Sequence, residues 1–275
     1  MSNSKVVKII INVLLIVAAI SVAFPLIFMF MTSLKPHQEI ILSPFSIPWD
    51  PHFENYVRAW IDTSLGRNFL NSIIVTVATL VLLLFIVLMG GYALSRYAFP
   101  GNKIVFISLV ALIAIPVHSL LVPIYYFMDA MNLRNSLLGV ILLYTAINIP
   151  FSMIIMRAFF DQMPRAIEEA AMIDGCNTWQ VFQHVAIPMA KVPIATLAII
   201  NVINIWSEYL FASVLLVQSS SRTLPVAIAI LQSGEQGTDT GILFAGLSIV
   251  TLPLLILYLF FSKQITQGVA SGAVK

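Results

Sequence analysis

Residues 168–188 read EEAAMIDGCNTWQVFQHVAIP. This is a polar, helix-forming interruption in a chain made mostly of Leu, Ile, Val and Phe. Pro164, just upstream, can open a helix, because its missing N–H would find no intrahelical partner there anyway. Glu168 and Glu169 then lie close to a helix N-terminus, where carboxylates suit the helix dipole. Ala170 and Ala171 are strong helix formers with almost no bulk. Gly175 stops the helix, as a glycine just past the last turn does. Asn177 or Thr178 can cap a second helix, TWQVFQHVAI, which Pro188 ends. The segment therefore reads as two short helices bent at Asp174-Gly175. Its acids have no companion nucleophile, metal-ligand set or phosphate loop, which argues against an active site. An amphipathic hairpin lying on a membrane surface is one use for it. A docking knob fits better: the two alanines let another backbone come close, Glu169 offers a charge to an Arg or Lys, and Gly175 sets the bend.

The surroundings of this segment are lipid. Hydrophobic residues make up 60% of the chain and charged residues 9%, with a mean hydropathy of +0.98. A soluble domain carries about 25% charge, so a water-soluble fold could not hide this much apolar surface. The net charge of +2, without long Lys/Arg runs, argues against nucleic acid. One cysteine, Cys176, excludes an intrachain disulfide and a cysteine-built metal site. The four histidines, His37, His52, His118 and His184, show no ligand spacing.

Six stretches are apolar enough to cross a bilayer: 9–31, 69–95, 104–128, 135–156, 192–217 and 241–261. A span needs about 20 such residues. The first run follows Lys5 and Lys8 like a signal peptide, but it exceeds the ~7–15 residues of a cleavable apolar core and reads as a retained helix. Helices rather than barrel strands are expected, since barrel strands would be short and alternating. Pro25, Pro116, Pro123, Pro150 and Pro253 fall inside these runs and predict kinks. A cytoplasmic N-terminus places Lys5, Lys8, Arg96, Lys103, Arg157, Arg165, Lys191, Lys263 and Lys275 inside, against Lys35, Arg58, Arg67, Arg134 and Arg222 outside. That asymmetry puts both termini in the cytoplasm. The expected fold is an all-α membrane protein: one transmembrane domain over 1–275 with outer loops 32–68 and 218–240 and a large inner segment, 157–191.

The spacing within 169–188 is Glu-Ala-Ala, three residues, Gly, nine residues, then a small apolar segment ending in Pro. It resembles the loop motif of binding-protein-dependent ABC importer permeases. TSLKPHQEI after the first span, ENY in the outer loop, FLNS and YALSRYAFPGNK around the second span, IWSEYLFAS in the fifth and QGVASGAVK at the end resemble the carbohydrate-uptake branch. Within it, the chain is most similar in kind to the smaller, six-span permease of maltose-type and oligosaccharide importers. Members of that branch often carry Asn after the fifth-span Trp, where this chain has Ser207.

The resemblance implies the type I ABC importer permease fold in a bacterial or archaeal plasma membrane. It also implies a heterodimer with a second permease, two ATPase subunits on the inner face and an extracytoplasmic sugar-binding protein. Glu169, Ala170, Ala171, Asp174, Gly175 and Pro188 then belong to a coupling helix seated in a cleft of the ATPase. No G-x-x-x-x-G-K-[ST] stretch occurs, so this chain would hold no cofactor, with ATP and Mg on the partner ATPase.

Inside the spans, Glu208 is the lone residue of type Asp, Glu, Lys or Arg. It lies nine residues from Val217, about 13 Å below the outer interface. A carboxylate there should face a polar cavity or a partner. Asn201, Asn204 and Glu208 follow steps of three and four, on one helix face. Trp206 and Tyr209 are close in sequence, and Tyr144 and Asn148 share a helix spacing in the fourth span. Amides and carboxylates bind sugar hydroxyls, and aromatic rings stack on the apolar sugar face, so these residues are candidates for the substrate path. They serve equally well as polar glue between helices. The rival function is an ion-coupled secondary transporter with Glu208 as its coupling carboxylate. Against it stand the solitary carboxylate and the lack of an inverted repeat.

Overall fold

The computed structural model describes the backbone over residues 2–233 and 239–273, with side chains over 7–233 and 239–261. The side chains of the tail motif QGVASGAVK and those of Lys5 and Lys263 lie outside the described residues. The described chain is helical and contains no strand.

Four helices are long and apolar enough to cross a membrane: Val7–Ser33, Leu65–Arg96, Leu137–Gln162 and Thr240–Phe261. Two bent pairs qualify only if each counts as one crossing: Asn102–Ile113 with Val117–Ala130, bent by 90°, and Thr178–Met189 with Lys191–Trp206, bent by 72°. Four of the six expected runs thus coincide with long helices, and the other two, 104–128 and 192–217, are each divided. The long helices are α1 (Ser2–Ser33), α4 (Leu65–Arg96), α7 (Leu137–Gln162) and α14 (Thr240–Ala273). Between α1 and α4 lie α2 (His37–Leu42) and α3 (Glu54–Ile61).

The expected span 104–128 divides into α5 (Asn102–Ile113), a tight 3-10 turn (Val117–Leu120) and α6 (Leu121–Ala130). The break falls before Pro116, which is extended at φ −66°, ψ 104°. Proline disfavours the helical conformation in the residue before it and donates no N–H itself. Pro25, Pro150 and Pro253, by contrast, sit inside continuous helices.

The expected span 192–217 also divides. Helix α11 (Lys191–Trp206) stops before Ser207-Glu208-Tyr209, and α12 (Leu210–Leu215) follows. Sixteen residues rise about 24 Å, short of a hydrocarbon core of about 30 Å. The outer segment 218–240 is not all loop: α13 (Leu224–Gln232) lies in it. Its buried face is Leu224, Val226, Ala227, Ile228 and Leu231.

The chain forms two compact units. The first combines 1–67 with 227–253. Here the ENY residues join the end of α1 to α3: Asn55 donates to the carbonyls of Ser33 and Lys35, both at 2.9 Å, and the Tyr56 and Ser33 hydroxyls meet at 2.7 Å. Lys35 is fully buried and donates to the carbonyls of Ser43 and Pro44 at 3.3 and 3.0 Å. Arg58 pairs with Asp239 at 3.2 Å.

The second unit combines 68–226 with 254–275. Its core gathers Leu83 and Val87 of α4, Met153, Met156 and Phe160 of α7, Phe182 and Ala186 from the inner segment, and Leu197 of α11. Gly91 makes this approach possible: a Cβ there would come within 3.1 Å of Met156 and 3.2 Å of the Arg157 backbone. Small residues allow such close helix contacts in membranes. The FLNS residues fasten the turn that leads into α13. Asn71 donates to the carbonyls of Ser220 and Arg222, and the Ser72 hydroxyl accepts the Leu224 N–H.

Candidate functional site

Helix α8 (Arg165–Ile173) begins after Pro164 and ends at Asp174. Gly175 adopts φ +91°, a conformation that L side chains resist. The Cys176 N–H returns to the Ala171 carbonyl and the Gly175 N–H to that of Met172, each at 3.0 Å. These are the paired bonds of a Schellman motif, which satisfies the last carbonyls of a helix. Immediately afterwards Asn177 and Gln180 form a capping box: the Asn177 side chain accepts the Gln180 N–H at 2.9 Å, and the Gln180 side chain accepts the Asn177 N–H at 2.8 Å. Two local devices, back to back, hold the bend.

The second arm consists of α9 (Thr178–Val181), a π-helical turn (Phe182–Ala186) and α10 (Ile187–Met189). The expected stop at Pro188 is not where this arm ends. Pro188 lies just after the wide π turn, at the start of a new helical turn, where the lack of an N–H costs little. The direction changes by 72° at Ala190, before α11.

Glu168 and Glu169 are adjacent in sequence and opposite in environment. Glu168 is 5% exposed. Its carboxylate accepts from Arg96 Nε at 2.8 Å and from the Tyr92 hydroxyl at 3.2 Å. The same guanidinium donates through Nη2 to the Met163 carbonyl at 2.9 Å. Arg96 closes α4, so one buried ion pair ties α8 to that helix. Glu169, Ala170, Asp174 and Gly175 are exposed and Ala171 is partly so. Glu169 makes no hydrogen bond or ion pair among the described residues. Ile167, Met172 and Ile173 are exposed alongside it, Ile173 at 86%. The hairpin thus presents an acidic residue within an uncovered apolar ridge.

Sequence reasoning missed Tyr92 and Arg96 as site residues and left Glu168 as a helix-dipole acid. One signal was available: Arg96 is the cation that ends the uncharged run 69–95, and Glu168 is an acid on the next long polar segment.

The candidates for the substrate path separate into distinct environments. Glu208 lies in the break after α11, not on its face. Its Oε1 accepts the Phe211 N–H at 2.8 Å, and its Oε2 accepts the Ala212 N–H at 3.2 Å and the Tyr144 hydroxyl. Three donors satisfy the carboxylate, two of them at the start of α12. Asn148 sits one turn from Tyr144 and donates to its carbonyl at 2.8 Å. Asn201 is 1% exposed and donates to the Ser152 hydroxyl at 3.1 Å and the Leu197 carbonyl at 2.8 Å, so it joins α11 to α7. Asn204 and Tyr209 are exposed, and Trp206 is buried edge-on against Phe69, their ring centroids 5.7 Å apart. The structure brings Tyr144 and Glu208 together, while Asn148 bonds only back to the Tyr144 carbonyl of its own helix. It does not set Asn201, Asn204 and Glu208 on one face, because α11 ends at Trp206.

Glu208→Gln should therefore act on stability rather than on energy coupling. A neutral amide keeps the shape but weakens charge-assisted hydrogen bonds worth about 1.5–3 kcal/mol each. Uptake by the variant should stay insensitive to collapse of the proton gradient, like that of the parent, with a lower unfolding midpoint in detergent. Uptake that depends on the gradient in the parent and loses that dependence in the variant would restore the ion-coupled reading.

Comparison with known proteins bears on the same hairpin. Residues 83–271, which include it, match the family described as the binding-protein-dependent transport system inner membrane component. The chain is 34% identical over 265 residues to the diacetylchitobiose uptake system permease protein NgcG of Streptomyces coelicolor, covering 96% of this chain and 88% of that protein. It is 31% identical over 252 residues to the trehalose transport system permease protein SugB of Mycobacterium tuberculosis, covering 91% and 92% of the two chains. A solved chain from a bacterial ABC transporter involved in the import of the acidic polysaccharide alginate superposes with a TM-score of 0.85 at 24% identity, over 96% of this chain and 98% of that one, a likeness of fold. The family match and the relatives agree with an apolar helical chain that carries a bent hairpin between two membrane helices: this protein belongs to the binding-protein-dependent transport system inner membrane components, as an integral membrane permease subunit and not an enzyme.

Proposed function

We propose that this chain is one permease of an ATP-driven importer for sugars of oligosaccharide size, paired with a second, different permease. Two ATPase subunits bind its inner face and hold the ATP and Mg, and an extracytoplasmic binding protein delivers the sugar to the segments 32–68 and 218–240. Both termini lie in the cytoplasm. The sugar class rests on relatives named for diacetylchitobiose and trehalose uptake and on the carbohydrate-branch motifs.

The observation that carries the coupling role is the split between the two glutamates. Glu169 is exposed on the hairpin, available to a basic residue of an ATPase. Glu168 is buried and bonded to Arg96 at 2.8 Å. Movement received on one side of α8 is thereby passed to the end of α4 through an ion pair and a backbone contact. The Schellman motif and the capping box keep the hairpin from yielding at its bend. Within the membrane, Asn204 and Tyr209, which are exposed, are the polar side chains open to a sugar path, with Glu208 and Asn148 partly exposed and Tyr144 buried behind Glu208. Asn201 joins helices.

Isolation of the chain from its native membrane in mild detergent tests this reading. A co-purifying ATPase and a second permease are expected, and the ligand of the binding protein then names the sugar. Recovery of the chain alone, or only with copies of itself, would overturn it.

A further inference from the structure

The C-terminal end of α4 carries two cavities, one with cations in its lining and one almost wholly apolar. The first, about 600 Å³, is formed by the turn between α4 and α5 and by the start of α8. Lys103 and Arg165 line it, together with Arg96, Ser95 and Asn102, and no acidic residue does. The charge of Arg96 is matched by Glu168 at 2.8 Å. Lys103 and Arg165 are exposed and form no ion pair among the described residues, which leaves two uncompensated cations. The turn itself is pinned: Asn102 donates to the carbonyls of Leu94 and Tyr97 at 3.1 and 2.8 Å.

The second cavity, about 290 Å³, is lined by Met89, Tyr92, Ala93, Tyr97, Trp179 and Phe182, with Thr178 at one edge. Tyr97 borders both cavities. From Tyr97 to Met89 the groove follows eight residues of α4, about 12 Å along the helix axis. It runs from the C-terminal end of α4 back along that helix. Met89 is 40% exposed, Tyr97 44% and Trp179 48%, and Tyr and Trp are the side chains that favour membrane interfaces.

We propose that these two cavities form one binding site for an anionic diacyl phospholipid, the phosphate between Lys103 and Arg165 and one acyl chain along Met89, Trp179 and Phe182. A free phosphate would use only the first cavity; the adjoining apolar groove is what selects a lipid. Basic pockets beside membrane helices on the cytoplasmic side take anionic headgroups in this way. The inference rests on the cytoplasmic placement of 96–103 in the reading above. A lipid seated here would touch both arms of the hairpin and the end of α4, so membrane composition would bias the coupling joint.

The test uses the intact importer in detergent, with bound lipid read by native mass spectrometry. Phosphatidylglycerol is compared with phosphatidylcholine of the same chains. Phosphatidylglycerol should be retained preferentially and should resist an excess of inorganic phosphate. One cation near an anionic headgroup is worth about a fivefold change in affinity, so K103Q with R165Q should weaken retention about 25-fold. Trp179→Ala should weaken it for both lipids. Equal retention of the two lipids, unchanged retention in the double variant, or release by inorganic phosphate would each overturn the proposal. Co-purification of the ATPase is scored in the same samples, so loss of the lipid site is distinguished from failure of the importer reading.

Discussion

Arg96→Met should lower the stability of this permease by about 3–5 kcal/mol, because it strands the buried Glu168 carboxylate without its cation. Arg96 and Glu168 side chains are 6% and 7% exposed, so water cannot take over. The variant also releases the Met163 carbonyl, at the joint where α7 gives way to the hairpin. Glu168→Met in the same chain removes the stranded charge and should recover most of the loss, as paired removal of buried ions generally does. Its uptake should remain low, because the tie between α8 and α4 is still absent. Unfolding midpoints in a denaturing-detergent titration check the first part, and uptake per ATP hydrolysed checks the second. A single variant as stable as the parent would show that the ion pair is not a structural tie. Full uptake in the double variant would show that the tie is not used in coupling.

Glu169→Lys should have the opposite profile. Glu169 is exposed and makes no hydrogen bond or ion pair among the described residues, so the fold should be unaffected. Like charges placed together across an interface cost several kcal/mol, which corresponds to a loss of association on the order of 100-fold or more. Uptake should fall to background, the chain should still be present in the membrane, and the ATPase should no longer co-purify. Gly175→Val should give a milder version. No atom lies within 4 Å of a Cβ placed there, so the cost comes from φ +91° alone and from any partner seated against the bend. Normal uptake by Glu169→Lys would remove the docking role of the hairpin.

The hairpin was the most legible part of the chain. Its helix start, glycine stop, bend and second cap are set by interactions over three to five residues, which spacing exposes. The long runs of α1, α4, α7 and α14 were legible for a similar reason: transfer into lipid is decided residue by residue within one window of the chain. The breaks were not. Pro116 and Pro150 both lie in apolar runs, yet only Pro116 interrupts its helix, and α11 ends at Trp206 without any proline at that point. Apolar composition alone does not distinguish a straight helix from a bent pair.

What the sequence by itself determined is the class, the approximate position of the membrane helices, the absence of a nucleotide loop and the local geometry of the hairpin. The tertiary structure decided which polar groups are spent. Arg96 and Glu168 are 72 positions apart, and Tyr144 and Glu208 are 64 apart. Neither pair follows from a periodicity. A buried carboxylate must find a donor or a cation because neither lipid nor a packed interior offers water, but which one it finds depends on how α4, α7, α8 and α11 pack. That packing made Glu168 a tie, left Glu169 exposed beside it, and bound Glu208 to the start of a short helix.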